Sequence, residues 1–523
     1  MSAICFRKSL PSVLVVSLLA APFVLPPRGA RADVCLPAIL SEHMVLQKTA
    51  KVPIWGKADP GEKITVTLDG QRATATAGAG GRWMTSLDLA KSGPGPFEMT
   101  VEGKNRLMIS DVLVGEVWVA AGQSNMKWAL GTQTIGAEKE IAQSANPQFR
   151  QFRVAKVESD TPKEEALGQW VVATPQTTPE FSATAYYFAK RLLGELKVPV
   201  GIINTAVSGT PVEAWLSMQA VDTVPHLKEA RERAVAALKA SKPAVAAAAS
   251  KPKARHATEP SCLFNGLIHP ILNYGIAGII WYQGESNEDR AWQYRFVFPL
   301  LIQDWRNQWK QPNRPFYFCQ LANFKQKQKQ PSESAWAEIR EGQSMALKLP
   351  NTAEAVLIDI GESNDIHPKN KQETGTRLAN VVLANHYGKA IPFSGPVYES
   401  MKVEGDKIRV AFTHTEGGLV AKALPATYIV KTTAGLTAPL VRNSPKSELE
   451  GFAICGADHK WVWADAKIDG TDVLVWSDQV PAPVAVRYAW ADNPTCNLTN
   501  AAGLPATPFR TDDLPALTRD VLY

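Results

Sequence analysis

The sequence predicts an α/β fold built on a parallel sheet, with a small antiparallel β-sandwich before it and a β-rich region after it. Three observations predict this. Five apolar, strand-length runs alternate with helical segments between about residues 112 and 392. Short runs of period two, broken by turn residues, fill 33–111, and the same pattern returns over 393–523. A chain of 523 residues also exceeds what one hydrophobic core usually serves, while 45% hydrophobic and 20% charged residues are ordinary for a globular protein.

The first 32 residues stand apart. A basic start (Arg7, Lys8), a short apolar centre and an A-x-A ending (Ala30, Ala32) read as a secretory signal peptide cleaved before Asp33. The apolar part is too short, and too interrupted by Pro22 and Pro26, to be a good membrane anchor. Export to the periplasm or full secretion is the expectation, with no stable membrane insertion after cleavage. Without Arg7, Lys8, Arg28 and Arg31 the formal charge drops from +6 to +2, because 52 Lys and Arg then face 50 Asp and Glu. Near-neutrality argues against a nucleic-acid partner, and "KPKAR" and "FKQKQKQ" read as solvated loops. Cys35, Cys262, Cys319, Cys455 and Cys496 are scattered without CxxC spacing, which argues against a metal knuckle; Cys455 and Cys496 are the nearest pair in sequence.

In chain order, "KITVTLDGQRATATA" alternates on both sides of Asp69-Gly70, a favoured hairpin turn, and "RWMTSLDL" and "FEMTVEG" come soon after. These make the N-terminal sandwich. From 112 the pattern becomes strand, loop, helix: "GEVWVAA", the helix "SATAYYFAKRLLGEL", "VPVGIINTA", "YGIAGIIWYQ", the helix "AWQYRFVFPLLIQDWRNQW", "PFYFCQLA", a helix around "AWAEIREGQSMALKL", the strand "AEAVLIDI" and a last helix from about Lys371 to Tyr387. An Ala- and Lys-rich stretch at about 222–262 reads as an exposed helical insertion ending in a loop. After 393, "DKIRVAFTH", "DVLVWSD" and "VAVRYAW" restore the alternation.

In an open parallel sheet, ligands bind at the carboxyl ends of strands. Four polar loops sit at such ends: "GQSN" after the first strand, "VSGT" after the second, "QGESN" after the third and "GESNDIHP" after the fifth. Singly, each has a plain structural reading: Ser124 as a helix N-cap, Gly209 as a turn residue, His367 as a loop histidine. Together they hold the parts of acyl transfer: a nucleophilic hydroxyl (Ser124), an imidazole base (His367) and an acid to orient it (Asp365). Backbone N–H groups of Ser124 and Gly209, with a side-chain amide from the third loop, would hold the oxyanion. Trp128, Trp215, Trp281 and Asn323 lie near strand ends and are candidates for sugar contact, foremost Trp215 and Asn323. Arg340 could meet a sugar carboxylate, although a structural role as partner of Glu338 or Glu341 is favoured.

The blocks "GQSNM", "NTAVSGTPVEAW", "WYQGESN" and "DIHPKNKQETGTRLA", with "LSEHMVLQ" in the preceding β region, resemble the sialate O-acetylesterase family within the SGNH (GDSL-like) hydrolases. The resemblance implies a flavodoxin-like three-layer core and serine-dependent removal of O-acetyl groups from carbohydrate, without metal or cofactor. It also implies Ser124 as nucleophile, His367 as base, Asp365 as acid, and Gly209 and Gln283 at oxyanion-hole positions, with Asn287 the alternative to Gln283. One departure is visible. The wider superfamily often sets its acid three residues before the histidine, where this chain has Asn364, so Glu285 and Asp359 stay as alternative acids. Deacetylation of plant cell-wall polysaccharide is the competing enzymatic reading, and a non-catalytic carbohydrate-binding protein the competing class.

Overall fold

The computed structural model describes residues 33–240, 257–429 and 437–523. The expected signal peptide and residues 241–256 of the expected insertion lie outside the described residues. The helical part of that insertion is present as Pro225–Ala240.

The organising element is β1 (Arg106–Gly122), 17 residues long. Its first half completes an antiparallel sheet with Phe97–Glu102, which continues to Lys63–Leu68 and, across the Asp69-Gly70 turn, to Gln71–Thr76. Its second half is buried almost without interruption and enters a parallel sheet. The boundary expected between residues 111 and 112 falls inside this strand, at Asp111, whose φ is 54°. A ribbon of Val52–Lys57 and Arg82–Leu87 completes the N-terminal region, and its apolar residues join the same core as the α/β part.

The remaining strands of the parallel sheet are β2 (Asn146–Arg153), β3 (Trp170–Ala173), β4 (Val200–Asn204), β5 (Gly278–Tyr282), β6 (Phe316–Cys319) and β7 (Thr352–Ala355). Their order across the sheet is β7-β6-β5-β1-β4-β2-β3, parallel throughout except for the edge strand β3. The five runs read as strands from sequence are all here in parallel pairing. "NPQFRQFR" adds a strand that its two arginines and two glutamines disguised. Arg150 is buried there because its guanidinium donates to Asp111 Oδ1 at 2.7 Å and to the Asp111 carbonyl.

Helices α1 (Ala183–Leu196), α2 (Pro225–Ala240), α3 (Ala291–Gln308), α4 (Ala335–Ser344) and α5 (Lys371–Asn385) complete the unit. Ser182, Ser334 and Asn370 cap α1, α4 and α5 by accepting backbone N–H bonds, as short polar side chains do at helix starts. Helices α1 and α5 pack together, as do α3 and α4. From β1 the chain passes through β2, β3 and α1 to β4 on one side, then crosses to β5 and continues through α3 and α4 to β6 and β7. Trp118 of β1 packs on Phe188 of α1 and Trp281 of β5 on Phe298 of α3, and the β1–β5 register places these two indoles on opposite faces of the sheet. The reversal falls at β1, so the crevice between diverging loops opens at its carboxyl end, where Ser124 lies.

A second apolar core gathers Ile408, Val410, Val473, Val475, Phe452 and Tyr488. It lies among strands including Val397–Glu404, Lys407–Thr413 and Asp472–Trp476 in one sheet, and Phe452–Cys455 and Ala485–Tyr488 in another. The fold is thus a mixed α/β molecule with one large mixed sheet and additional β-rich regions. Cys455 and Cys496, the nearest pair in sequence, both carry free thiols. Among the described residues no helix is long and apolar enough to cross a membrane.

Candidate active site

Gly122 ends β1 with φ at 127°, and a Cβ there would lie 2.1 Å from the carbonyl oxygen of Tyr282. Only glycine allows this approach, which sets the loop after β1 directly on the end of β5. The next residue, Gln123, donates its backbone N–H to that same carbonyl at 2.9 Å. The chain then makes a single helical turn, Ser124–Lys127, whose N-cap is Gln123 without a side-chain cap bond. Ser124 is therefore not the N-cap that its position suggested. It is partly exposed at the start of this turn.

Asn125, 1% exposed, ties the turn to two other loops. Its Nδ2 donates to Glu285 Oε1 at 2.6 Å, in the loop after β5, and to the carbonyl of Ile366 at 3.0 Å. Its Oδ1 accepts from Lys371 Nζ at 2.5 Å. Ser124 and His367 flank the two ends of the Asn125–Ile366 bond, so residues far apart in sequence are brought together. The His367 ring also stacks on Trp128, centroids 4.9 Å apart and planes 28° from parallel.

His367 Nδ1 lies 3.1 Å from Asp365 Oδ1. A carboxylate only accepts, so Nδ1 carries the proton and Nε2 is left as the basic nitrogen. Asp365 also takes a hydrogen bond from Lys369 Nζ and one from the His367 backbone N–H at 3.0 Å. Burial pushes the Asp365 carboxyl up, but these hydrogen bonds together outweigh it, and its pKa ends below the ordinary value. Burial lowers the His367 pKa; Asp365 opposes this, and the Lys371 and Lys369 ammoniums add to it. The other two carboxylates weighed for this position are engaged elsewhere. Asp359 receives Arg377 at 2.6 and 3.0 Å, and Glu285 receives Asn125.

Gly209, in the loop after β4, is exposed with φ at 70°, and no atom lies within 4 Å of where its Cβ would be. Val207 N–H donates to the Gly122 carbonyl at 3.0 Å, which docks this loop against the Ser124 loop. Neither the Ser124 nor the Gly209 backbone N–H has an acceptor among the described residues. Gln283 is fully buried, and its Nε2 donates both to the Thr210 carbonyl at 3.1 Å and to Asn287 Oδ1 at 2.7 Å. An amide nitrogen has two protons, so the donors of Gln283 are both committed. The Asn287 amide nitrogen faces the two oxygens of one carboxylate, Glu213, at 3.1 and 2.9 Å.

Two expectations about sugar contact are corrected. Trp215 is completely buried, its Nε1 donating to Thr210 Oγ1 at 3.1 Å and its ring packed against Trp281 and Trp305, so it belongs to the core. Trp281 is equally buried. Of the tryptophans considered, Trp128 borders the site. Asn323 bridges two regions: its Oδ1 accepts from Gly361 N–H at 2.7 Å and its Nδ2 donates to Asn493 Oδ1 at 2.8 Å. It lines a cavity of about 420 Å³ behind the loop after β7. Arg340 is structural, but not through Glu338 or Glu341: its buried guanidinium donates to the carbonyls of Leu321, Ala322, Ala491 and Asp492.

The residues that sequence reasoning passed over are Asn125 as the hub and Lys371 as its buried partner. A cation in the first turn of a helix opposes the helix dipole, and that misfit at Lys371 was legible.

A family profile described as carbohydrate esterase, sialic acid-specific acetylesterase, matches residues 114–247 and 263–384. The sialate O-acetylesterase of Homo sapiens is 28% identical, covering 95% of this chain and 96% of its own length; that of Rattus norvegicus is 29% identical, covering 92% and 95%. A carbohydrate acetylesterase from Xanthomonas citri, known as a crystal structure, is 37% identical with a TM-score of 0.76, covering 92% of this chain and all of its own. The protein is a carboxylic ester hydrolase. More narrowly, the chain belongs to the sialic acid-specific acetylesterase family of carbohydrate esterases.

Proposed function

We propose that this protein is an exported serine esterase that removes O-acetyl groups from carbohydrate, with O-acetylated sialic acid as the preferred substrate. The observation that carries the reading is the Asp365–His367 pair, held beside the Ser124 turn by the Asn125–Ile366 hydrogen bond. The α/β core is read as the flavodoxin-like core of an SGNH hydrolase over 112–392, between an N-terminal sandwich (33–111) and a C-terminal β-rich domain (393–523). The leader-like first 32 residues support export to the periplasm or beyond.

A serine hydroxyl is a weak nucleophile at neutral pH, so it needs a base within reach. Nε2 of His367 takes the proton as Ser124 Oγ bonds to the acetyl carbonyl carbon. The oxyanion of the tetrahedral intermediate is received by the N–H groups of Ser124 and Gly209 and an amide of the third loop. Gln283 or Asn287 is read into that third place; the amide nitrogens of both already face acceptors within the protein, Thr210 and Asn287 for Gln283, and Glu213 for Asn287. The intermediate collapses as His367 returns the proton to the departing sugar oxygen, leaving acetyl-Ser124. Water then attacks the acyl carbon with His367 again as base, and acetate leaves while Ser124 regains its proton. Asp365 keeps the proton on Nδ1 and offsets the charge of the transient imidazolium. Trp128 offers a partly exposed ring beside the base, and Asn323, in the loop after β6, accepts from Gly361 N–H in the loop after β7.

The test is acetate release by the wild type and by Ser124→Ala from p-nitrophenyl acetate, 9-O-acetylated sialic acid and acetylated xylo-oligosaccharides. Loss of all three activities with the fold retained, and faster wild-type release from the sialic acid, is expected. Faster release from the xylo-oligosaccharides would give the preference to plant cell-wall polysaccharide. A Ser124→Ala variant with wild-type turnover, or a wild type that does not react with a fluorophosphonate, would end the serine reading and favour a carbohydrate-binding role.

A further inference from the structure

The serine chemistry leaves Lys371 without a part. Its side chain is completely buried in the first turn of α5. Taking an ammonium out of water is costly, and a helix N-terminus is an unfavourable place for one. The fold nevertheless puts Nζ on Asn125 Oδ1, 5.6 Å from the Tyr282 ring centroid and 5.7 Å from that of Trp128. The Asn125 side chain bonds to both the loop after β5 and the loop after β7, beside Gln123, whose Oε1 accepts from Ser286 N–H, and Trp128, whose ring stacks on His367.

We propose that Lys371 and Asn125 are positioning residues which, with Glu285, clamp the Ser124 turn to the His367 loop at reacting distance. The proposal rests on the catalytic roles of Ser124 and His367. The chemistry of the three partners fixes the amide in one orientation. The Lys371 ammonium can only donate, and so must meet Oδ1; the Ile366 carbonyl and the Glu285 carboxylate accept, and so must meet Nδ2. A reversed amide would lose all three bonds. The clamp sits between the nucleophile and the base without touching substrate.

The clamp also has an electrostatic side. The titratable groups that bear on Lys371 are Glu285 from the loop after β5, Cys319 at the end of β6, Asp365 and Lys369 from the loop after β7, and His367. Burial brings the Lys371 pKa down to about 7, opposed by Glu285. Burial raises the Glu285 pKa, opposed by Asn125 and Lys371. While Lys371 is charged it disfavours the imidazolium form of His367, and so extends the range over which the base is neutral.

The experiment measures kcat and KM on p-nitrophenyl acetate across pH, with thermal melting, for the wild type, Ser124→Ala, Lys371→Met and Asn125→Asp. Lys371→Met is expected to lose at least ~10-fold in kcat with KM changed less than about twofold, as misplacement of a reacting group does. Its acid limb of kcat/KM should move to higher pH. Because the lysine pKa is depressed in the fold, the wild type bears a cost that grows as pH falls from the ordinary lysine range of ~10.4 toward about 7 and is fully present below that. Lys371→Met should therefore gain more in melting temperature at about pH 6 than at about pH 9. Asn125→Asp keeps the acceptor for Lys371 but sets an oxygen against Glu285 and the Ile366 carbonyl, and should also lose at least ~10-fold in kcat. Wild-type kcat in either variant, or an unmoved acid limb in Lys371→Met, overturns the clamp. Should Lys371→Met fail to melt cooperatively, Asn125→Asp alone decides. Activity surviving in Ser124→Ala would instead sink the serine reading, whereas an inactive Ser124→Ala beside a fully active Lys371→Met sinks only the clamp.

Discussion

Asp365 and His367 meet across a tight turn of the chain: one carboxylate oxygen, Oδ1, lies 3.1 Å from imidazole Nδ1 and accepts the histidine's own backbone N–H at 3.0 Å. The acid therefore orients both the ring and the peptide that carries it. A spacing of two residues suffices because the same oxygen serves both bonds.

Exchanging the acids separates catalysis from stability. Asp365→Asn should lower kcat on the order of 10³-fold or more, because the ring loses both its tautomer and the charge that supports the imidazolium. Asp359→Asn should instead cost ~3 kcal/mol of stability, since it leaves the buried Arg377 without its main counter-charge. Steady-state kinetics beside denaturant melts of both variants checks the pair. The reverse assignment of the two defects would move the acid to Asp359.

The pH–rate profile should have its acid limb below the ordinary histidine range of ~6.5. Burial lowers the His367 pKa, and only the neutral ring can take the proton of Ser124. Asp365 opposes that shift, so Asp365→Asn should carry the residual limb still lower. The same depression has a stability sign. The contribution of His367 is fully present above its unfolded pKa and is lost as pH falls through the lower folded value. Histidine NMR titration of the folded chain reads the shift directly.

Gly122→Ala should be among the most damaging of small substitutions. The added methyl would meet the Tyr282 carbonyl oxygen at 2.1 Å, and φ of 127° is a conformation that L side chains rarely adopt. A loss of at least ~2 kcal/mol is expected. Because Ser124 is two residues away, kcat in the remaining folded fraction should fall as well. Melting temperature and active-site titration with a fluorophosphonate measure the two effects.

Arg340→Met tests whether this guanidinium has any part in recognition. It should cost ~3 kcal/mol or more, as four backbone carbonyls lose their donor. The ratio of KM for 9-O-acetylated sialic acid to KM for a neutral acetylated sugar should stay as in the wild type. A selective rise for the acidic sugar would return Arg340 to the binding site.

Much of this architecture was legible because its elements are strongly patterned. Val200–Asn204 and Gly278–Tyr282 are buried at every position, and Ala183–Leu196 starts on a serine cap. Asn146–Arg153 escaped notice because Arg150 is buried by a partner, Asp111, that local sequence does not reveal. The three residues proposed for catalysis stood out as polar groups at strand ends. Trp215 misled for the same reason: its loop turns inward, and the indole fills the gap against Trp281 and Trp305. Asn125 could not be assigned a role from sequence, because its three partners come from two distant segments, Glu285 from one and Ile366 and Lys371 from the other.

The single strand from Arg106 to Gly122 makes the front of the chain a foundation for the rest of the molecule. Its leading half pairs with Phe97–Glu102, and Val45–Gln47 pairs with it in parallel at Leu113–Gly115, so partners made before it already anchor it when Val200–Asn204 and Gly278–Tyr282 add to it. A chain begun at residue 112 would keep every proposed catalytic group and still lack that anchorage, together with the aspartate that neutralises Arg150. The hydrolase portion is accordingly not a detachable cassette, and grafting it elsewhere would require the N-terminal sheet to travel with it.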